Sequence, residues 1–163
     1  MNKHVITKIG DVFCVAINEQ YKKYLQYIVS DLTQLNSDVV RTFKELYPID
    51  AEPDLKEVVK GDVDFYAHCI TSMGVKKGLW KKVGNVMDVG DARHILFRNK
   101  RDYSDSGKQD DWVIWNVNEE MIHIGNIDGV SKQAYLGLVF QPERIIYKMR
   151  TGKSYGIYAE FEL

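Results

Sequence analysis

The sequence has few residues that could hold the chain together by covalent or metal chemistry. Its 163 residues include only two cysteines, Cys14 and Cys69, and each lies within an apolar run that is typical of a strand. Cysteines in such runs are usually reduced thiols that pack as small hydrophobic side chains. We therefore expect both cysteines to be buried and unpaired, which disfavours a disulfide and a nucleophilic thiol.

Motifs for metal binding and catalysis are also missing. The histidines have no His-x-His, HExxH or Cys-x-x-Cys spacing, and they are His4, His68, His94 and His123. His68 is expected to be an exposed or hydrogen-bonded strand residue opposite the core face. The sequence contains no Gly-x-Ser-x-Gly elbow, GxGxxG loop or Walker loop. We therefore predict no catalytic residues, no cofactor and no bound metal.

Long apolar runs and linkers are absent too. No run approaches the roughly 18 apolar residues of a membrane-spanning helix, and residues 1–8 lack the apolar region of a signal peptide. The three prolines do not cluster with glycine and serine as they would in a linker. These features predict a single domain over residues 1–163, located in the cytoplasm and not associated with a membrane.

Charge of one sign is not in excess, but it is unevenly placed. The net charge of −1 argues against binding nucleic acid through bulk charge. Residues 44–64, called the acidic segment here, carry seven acidic and three basic side chains. The seven carboxylates are Glu45, Asp50, Glu52, Asp54, Glu57, Asp62 and Asp64. Residues 76–101, called the basic segment, carry eight basic and two acidic side chains. Such patches can steer a partner of opposite charge.

Apolar and aromatic runs of strand length, punctuated by glycine, are what the chain does contain. Apolar residues on both strand faces predict a central strand over 11–17, covered on both sides, and the polar turn at 18–20 predicts a hairpin partner over 24–29. Residues 39–47 fit a helical period, but the β-branched residues in their first half favour a strand there. Further strands are predicted over 64–70, 79–83, 93–98, 112–117, 121–124, 134–140, 145–147 and 155–161.

One helix is indicated clearly, over residues 53–60, with a proline in its first turn and Gly61 after its end. A single helical turn could begin at Pro142. The fold class is therefore α+β and predominantly antiparallel β, with a twisted sheet or partial barrel and one or two short helices.

The order of the apolar and aromatic runs resembles that of a known protein family. The chain has Gly-Asp-Val-Phe in an opening strand, Tyr-x-x-Tyr-Leu-Gln-Tyr, Val-Val-Arg-Thr-Phe, Gly-Leu-Trp-Lys-Lys-Val-Gly-Asn and Trp-x-x-Trp, in that order. In this it resembles the immunity protein 26 family of bacterial polymorphic toxin systems. The resemblance covers most of the chain and rests chiefly on Gly10, Asp11, Phe13, Gln26, Phe43, Trp80, Gly84 and Asn85.

The resemblance implies a small cytoplasmic, non-enzymatic protein that binds and neutralises a cognate toxin. Some relatives carry a phosphotriesterase label, but the histidine clusters that such chemistry needs are missing from this sequence. With a toxin as partner, the seven carboxylates of the acidic segment become the candidate partner-binding residues.

Two other functions stay open at this point. One is a small hydrolase whose site is assembled from Asp91, His94 and distant carboxylates. The other is a nucleic-acid-associated β-barrel that uses the basic segment, against which the flanking acidic segments argue because they would repel phosphate. Its basic side chains would be Lys76, Lys77, Lys81 and Lys82.

Overall fold

A computed structural model describes residues 4–100 and 111–154. Within these residues the chain forms eleven strands, several of them very short. They are β1 (Asp11–Ala16), β2 (Tyr21–Asp31), β3 (Ser37–Phe43), β4 (Tyr47–Pro48), β5 (Val63–Cys69), β6 (Lys81–Asn85), β7 (Leu96–Lys100), β8 (Trp112–Asn116), β9 (Ile122–Gly125), β10 (Tyr135–Leu136) and β11 (Val139–Phe140).

The described residues also form three α-helices and two 3-10 turns. The helices are α1 (Leu55–Val58), α2 (Thr71–Lys76) and α3 (Pro142–Thr151), and the 3-10 turns are Ala92–His94 and Gly129–Gln133. The strand predicted over residues 155–161 lies outside the described residues.

The strands make two open, mixed sheets. The larger has the order β11-β5-β3-β2-β1-β6, with β4 added alongside β2, and the smaller has the order β10-β7-β8-β9. All neighbours are antiparallel except β10 with β7 and β11 with β5, which are parallel. The predicted α+β, mainly antiparallel fold class is confirmed, with three α-helices rather than one or two in the described chain.

The β1–β2 hairpin shows why the sequence folds locally as it does. Residues alternate in β1, so that Phe13 and Val15 pack on one side of the sheet and Val12 on the other. Asn18 closes the turn, since its side-chain oxygen accepts hydrogen bonds from the backbone N–H groups of Gln20 and Tyr21 at 2.8 Å. As predicted, β1 is a central strand with both faces covered.

The larger sheet has a packed layer on each face. One face packs against α3, through Ile145, Ile146 and Met149, and against Trp80. The opposite face packs against the smaller sheet at one end and against α1 at the other. The smaller sheet contributes Phe97, Val113 and Trp115 to that contact, which confirms that Trp115 faces the core.

The apolar run 134–140 does not form one strand, because it divides between the sheets. Its first part, β10, extends the smaller sheet and its second part, β11, extends the larger one. Gly137 lies at the division, where its N–H donates to the Arg98 carbonyl at 2.7 Å. A Cβ on Gly137 would lie 2.1 Å from the Trp115 ring, so that only glycine fits there.

Two helices differ from the sequence-based expectation. Helix α2 was not predicted, because Gly74 weakens the helical pattern. That glycine is required, since a Cβ on it would lie 1.9 Å from the Trp80 ring, and Trp80 Nε1 donates to the Thr71 carbonyl. Helix α3 replaces the strand expected over 145–147, beginning at Pro142 and ending before Gly152, whose φ is 73°.

The cysteine prediction is correct in part. Both cysteines are free, and Cys69 is buried in the main core, whereas Cys14 is only half-buried. Burial raises the pKa of Cys14, although Lys22 and Lys81 partly oppose this, and the pKa of Cys69 is raised further by complete burial. Both side chains are therefore thiols near neutral pH.

Candidate functional site

The acidic segment is the connection from β3 to β5, which includes β4 and α1 and lies mostly at the surface. Six of its seven carboxylates are exposed: Glu45, Asp50, Glu52, Asp54, Glu57 and Asp62. Asp64 differs, because it is half-buried in β5 at a register shift against β3. It lies close enough to Tyr135 to influence the pKa of that tyrosine. Asp64 therefore belongs with the junction of the two sheets rather than with the exposed acidic surface.

The backbone of the acidic segment is fixed to the larger sheet. Strand β4 pairs with β2, and the Ile49 N–H donates to the Gln20 carbonyl at 2.8 Å. Lys22 Nζ donates to the Ala51 carbonyl. At the end of the segment, the Lys44 N–H donates to the Asp62 carbonyl at 2.9 Å. The backbone positions from which the side chains of this segment project are therefore fixed before any partner arrives.

Some of the carboxylates have local roles as well. Asp54 caps α1 by accepting a hydrogen bond from the Lys56 N–H at 3.0 Å, which offsets an unpaired backbone donor. Glu57 pairs with Lys60 at 3.0 Å on the exposed side of α1. The hydrogen bond and charge of Glu57 raise the pKa of Lys60, and the charge of Asp88 raises it further. Asp88 therefore adds to the negative surface around α1.

A tyrosine links the acidic segment to the core beneath it. The Tyr47 ring meets that of Tyr24 edge to face, with centroids 5.3 Å apart. Its hydroxyl donates to Glu45 Oε2 at 3.0 Å. Burial, followed by the hydrogen bond and charge of Glu45, raises the pKa of Tyr47 to about 12. The hydroxyl therefore stays protonated and keeps the Glu45 carboxylate in one orientation.

Exposed apolar side chains lie among these carboxylates. Leu46 is 49% exposed and Ile49 is 42% exposed, on the backbone that flanks β4. Single exposed apolar residues are common on proteins. Here, however, two of them lie on a fixed backbone with acidic neighbours, which is the arrangement of an apolar contact with a charged rim. Sequence patterning does not reveal this, because the exposure of Leu46 and Ile49 depends on how the segment packs on the sheet.

One carboxylate of the acidic segment faces the basic segment across a cleft. Glu52 lines a cavity of about 520 Å³ together with Lys22, Lys81 and Lys82. Cys14 lies in the same cavity. The charge of Glu52 is therefore partly offset, and it contributes less to an outward negative surface than Asp50 or Glu57.

The basic segment does not form one free basic face. Three of its side chains pair with carboxylates: Lys77 with Glu143, Lys82 with Asp11, and Arg93 with Asp91. Arg98 is buried, and Arg101 lies outside the described residues. Trp80 is buried against Gly74, so its ring is not exposed for stacking on a base.

Asp91 and His94 are brought into contact, but on an exposed 3-10 turn. Asp91 Oδ2 lies 3.3 Å from His94 Nε2, and the His94 side chain is 83% exposed. Arg93 binds the same carboxylate through Nε and Nη2, each at 3.0 Å. Its hydrogen bonds lower the pKa of Asp91 to about 2. The pair is thus a solvated turn whose carboxylate stays ionised.

The structure also shows a buried polar cluster that the sequence did not suggest. Asp31 Oδ2 accepts hydrogen bonds from His68 Nε2 at 2.8 Å and from Trp115 Nε1 at 3.0 Å. Its Oδ1 accepts from the backbone N–H groups of Asn118 and Gln34 at 3.2 and 3.3 Å. All of Asp31 and His68 is inaccessible to solvent, so the cluster is a structural link between the sheets.

His68 matches the second alternative of its prediction, a hydrogen-bonded strand residue opposite the core face. It is hydrogen-bonded, but it is buried and not exposed, because the face opposite the main core is covered by the smaller sheet. Its ring lies 4.2 Å from that of Phe97, centroid to centroid. Burial lowers the pKa of His68, although the hydrogen bond and charge of Asp31 oppose the shift. His68 is neutral near pH 7.

The residues that carry the family resemblance have structural roles. Asn85 Nδ2 donates to Asp11 Oδ1 and to the Ile9 carbonyl, beside Gly10, whose φ is 96°. Gln26 accepts from Arg41 Nε at 2.9 Å and donates to the Val86 carbonyl, which fixes the loop after β6. The others lie in packed regions: Phe13 and Trp80 in the main core, Phe43 near α1, and Gly84 against Leu55.

Within residues 4–100 and 111–154, no three histidine, cysteine or acidic side chains are grouped as a metal ion would require. In the same part of the chain no helix has the length and apolar character needed to cross a membrane. Comparison of the chain with protein-family models, with curated proteins and with solved structures finds no match.

Proposed function

We propose that this protein is a non-enzymatic binding protein that neutralises a cognate bacterial toxin, and that it contacts the toxin through the exposed part of the acidic segment. The observation that supports this is the fixed surface around β4, where Leu46 and Ile49 are exposed among carboxylates. The family resemblance gives the proposed partner its class, a toxin protein encountered in the cytoplasm.

Preorganisation of this surface favours binding. Because hydrogen bonds to the larger sheet already fix this surface, a partner need not order it on binding, which lowers the entropic cost of association. The exposed apolar side chains offer area that a partner can remove from water. The surrounding carboxylates supply long-range attraction toward a basic surface.

The matching partner is a toxin with a basic active-site surface, as enzymes that act on nucleic acids often have. The carboxylates of the inhibitor would occupy positions that the phosphates of the substrate otherwise take. Neutralisation of this kind proceeds by competition for the site and uses no catalytic residue of the inhibitor.

The test is a charge reversal that spares the fold. We expect Asp50→Lys, Glu57→Lys and Asp62→Lys together to slow association about tenfold or more at low salt. Asp54 is left unchanged because it caps α1. The partner in the assay is the C-terminal domain of the toxin encoded beside this gene, and rates are measured by surface plasmon resonance. The difference from the unmodified protein should shrink at high salt.

A matched control has three exposed carboxylates outside the acidic segment reversed: Glu119→Lys, Glu120→Lys and Glu143→Lys. This variant has the same net charge but should keep more of the association rate. A second arm, Leu46→Ala with Ile49→Ala, should mainly speed dissociation. Unchanged kinetics in both the reversed and the apolar variants, with folding intact by circular dichroism, would rule out this surface and turn attention to the basic segment.

A further inference from the structure

The buried cluster at Asp31 joins the two sheets and contains a histidine. Asp31 ends β2 and His68 lies on β5, both in the larger sheet, whereas Trp115 lies on β8 in the smaller sheet. A single carboxylate oxygen, Asp31 Oδ2, accepts from His68 Nε2 at 2.8 Å and from Trp115 Nε1 at 3.0 Å. The histidine and the smaller sheet therefore share one acceptor.

The second ring nitrogen of His68 is unused. His68 Nδ1 is buried and has no hydrogen-bond partner within residues 4–100 and 111–154. Because Nε2 donates to Asp31, the neutral ring carries no hydrogen on Nδ1. Protonation places an N–H there without an acceptor, and it places a charge on a ring that solvent does not reach. The closed arrangement therefore suits the neutral histidine.

The larger sheet directs one charged group at the ring, Asp31. The residues that pair with His68 across the sheet are apolar, and they are Val39 on β3 and Val139 on β11. The charged side chains of β3, Asp38 and Arg41, form hydrogen bonds with other residues. Asp31 is thus the partner on which the charge state of His68 acts.

The smaller sheet covers the ring with aromatic side chains. The ring centroids of Phe97 and Trp115 lie 4.2 and 6.1 Å from that of His68. Arg98, the charged neighbour of Phe97 on β7, directs Nη1 to backbone carbonyls instead. The opposite face of β5 packs in the main core, so water reaches the His68 ring only if the smaller sheet moves away from it.

The two sheets are joined without strand pairing between them. In the described chain, each strand of the smaller sheet pairs only within that sheet. Besides side-chain packing and the Asp31 cluster, the turn after β8 is tied to the end of β2. There Asn118 accepts from the Leu32 N–H at 2.7 Å and donates to the Ser30 carbonyl at 2.9 Å. Separation of the sheets therefore breaks no strand ladder.

We propose that His68 and Asp31 form a pH-sensitive switch that holds the smaller sheet against the larger one at neutral pH and releases it in mild acid. Burial lowers the pKa of His68 in the closed fold, so the opened form takes up a proton first as the pH falls below 6.5. The larger sheet keeps its own core through this opening. The switch lies apart from the acidic segment, so its failure would leave the proposed function standing.

The experiment is hydrogen exchange of the full chain at pH 7.5 and pH 5, followed by mass spectrometry and corrected for the intrinsic exchange rate. We expect the protection of β7 and β8 to fall about tenfold or more at pH 5, and that of β1 and β2 to fall less than about threefold. The variant His68→Gln keeps an N–H near Asp31 but cannot take up the proton, so it should not show the larger fall. The matched control is His123→Gln, an exposed position on β9 of the smaller sheet, and it should behave as the unmodified protein.

An independent measurement on the unmodified protein is the titration of the His68 ring by nuclear magnetic resonance. The ring should titrate below pH 6.5, over the range in which β7 and β8 lose protection. An equal fall in both sheets would mean global unfolding and would overturn the switch. Unchanged protection of β7 and β8, or the same fall in His68→Gln, would also overturn it. If His68→Gln does not fold, protonation of His68 without loss of protection in β7 and β8 is the result that overturns the proposal.

Discussion

Among single residues, Asp31 makes an unusually large number of hydrogen bonds for a fully buried carboxylate. It accepts hydrogen bonds from His68, Trp115, Gln34 and Asn118, and so joins the end of β2 to β5 and to β8. A buried carboxylate is costly unless its oxygens are well supplied with donors. Here four donors meet that requirement, and the contact between the sheets depends on them.

We predict that Asp31→Asn lowers the free energy of unfolding by about 2–6 kcal/mol. Each carboxylate oxygen of Asp31 accepts from two donors, and an amide has only one acceptor oxygen. Two donors therefore lose their acceptor, and each loss costs about 1–3 kcal/mol. Denaturant unfolding followed by tryptophan fluorescence measures the change. Asp50→Asn, on the exposed surface, is the control and should change stability by less than about 0.5 kcal/mol. If Asp31→Asn lowered stability no more than the Asp50→Asn control, Asp31 would not be the link between the sheets.

His68 gives the same cluster a pH dependence. Because its pKa is lowered in the folded chain, the unfolded chain binds a proton first as the pH falls below 6.5. Protonation would also place a hydrogen on Nδ1, which has no hydrogen-bond partner among the described residues. The contribution of His68 is therefore fully present above that pH and is lost progressively below it.

We predict that stability falls with a slope of up to about 1.4 kcal/mol per pH unit below pH 6.5 from this residue alone. Unfolding measured from pH 7.5 to 5 should show that His68→Gln, which keeps an N–H near Asp31, removes that part of the slope. The exposed His94→Gln should keep it. An equal slope in His68→Gln and the unmodified protein would assign the dependence to other groups.

At the scale of single elements, the packing of helix α2 requires glycine at position 74. The Trp80 ring occupies the space where a side chain on Gly74 would be, and Trp80 Nε1 donates back to the start of the same helix. Glycine lowers helix propensity, yet the packing of a large ring more than offsets it. Trp80 therefore anchors α2, and with it the edge of the main core.

We predict that Gly74→Ala destabilises the protein by about 1–3 kcal/mol or more, although alanine is the better helix former, because the added methyl group displaces the Trp80 ring. Lys76→Ala, at an exposed position on the same helix, should be nearly neutral. Thermal unfolding, with the near-ultraviolet signal of the tryptophans as a second probe, measures both. A stabilising Gly74→Ala would mean that propensity outweighs packing here.

Elements with a strong local signal could be predicted, and those set by tertiary contacts could not. The hairpin over β1 and β2 follows from its apolar runs and a polar turn. The helix α1 is indicated by Pro53 and Gly61, although it covers Leu55–Val58 and not the predicted 53–60. By contrast, the apolar triplet in α3 fits either period, and only its burial against the larger sheet selects the helix. The division of residues 134–140 between two sheets depends on a contact with Trp115 that no local pattern contains.

For the molecule as a whole, the sequence predicts which charged residues make up the candidate site, but not how the fold arranges them. The carboxylates of the acidic segment are exposed because ionised groups stay in water, and counting them in the sequence was enough to find them. The sequence could not show that Asp64 turns toward the sheet junction, or that Glu52 faces lysines across a cleft. Both placements depend on contacts between residues that are far apart in the chain.

The short strands β10 and β11 have a consequence for how the protein is made. Residues 135–140 supply an edge strand to each sheet, in parallel with strands that precede them by tens of residues. A ribosome must therefore synthesise nearly all of the described chain before either sheet has its full set of strands. Until then the edges of β5 and β7 that these strands cover stay open to other chains. Cotranslational folding would proceed as a long incomplete stage followed by one late closing step, so slow synthesis near this segment should favour aggregation.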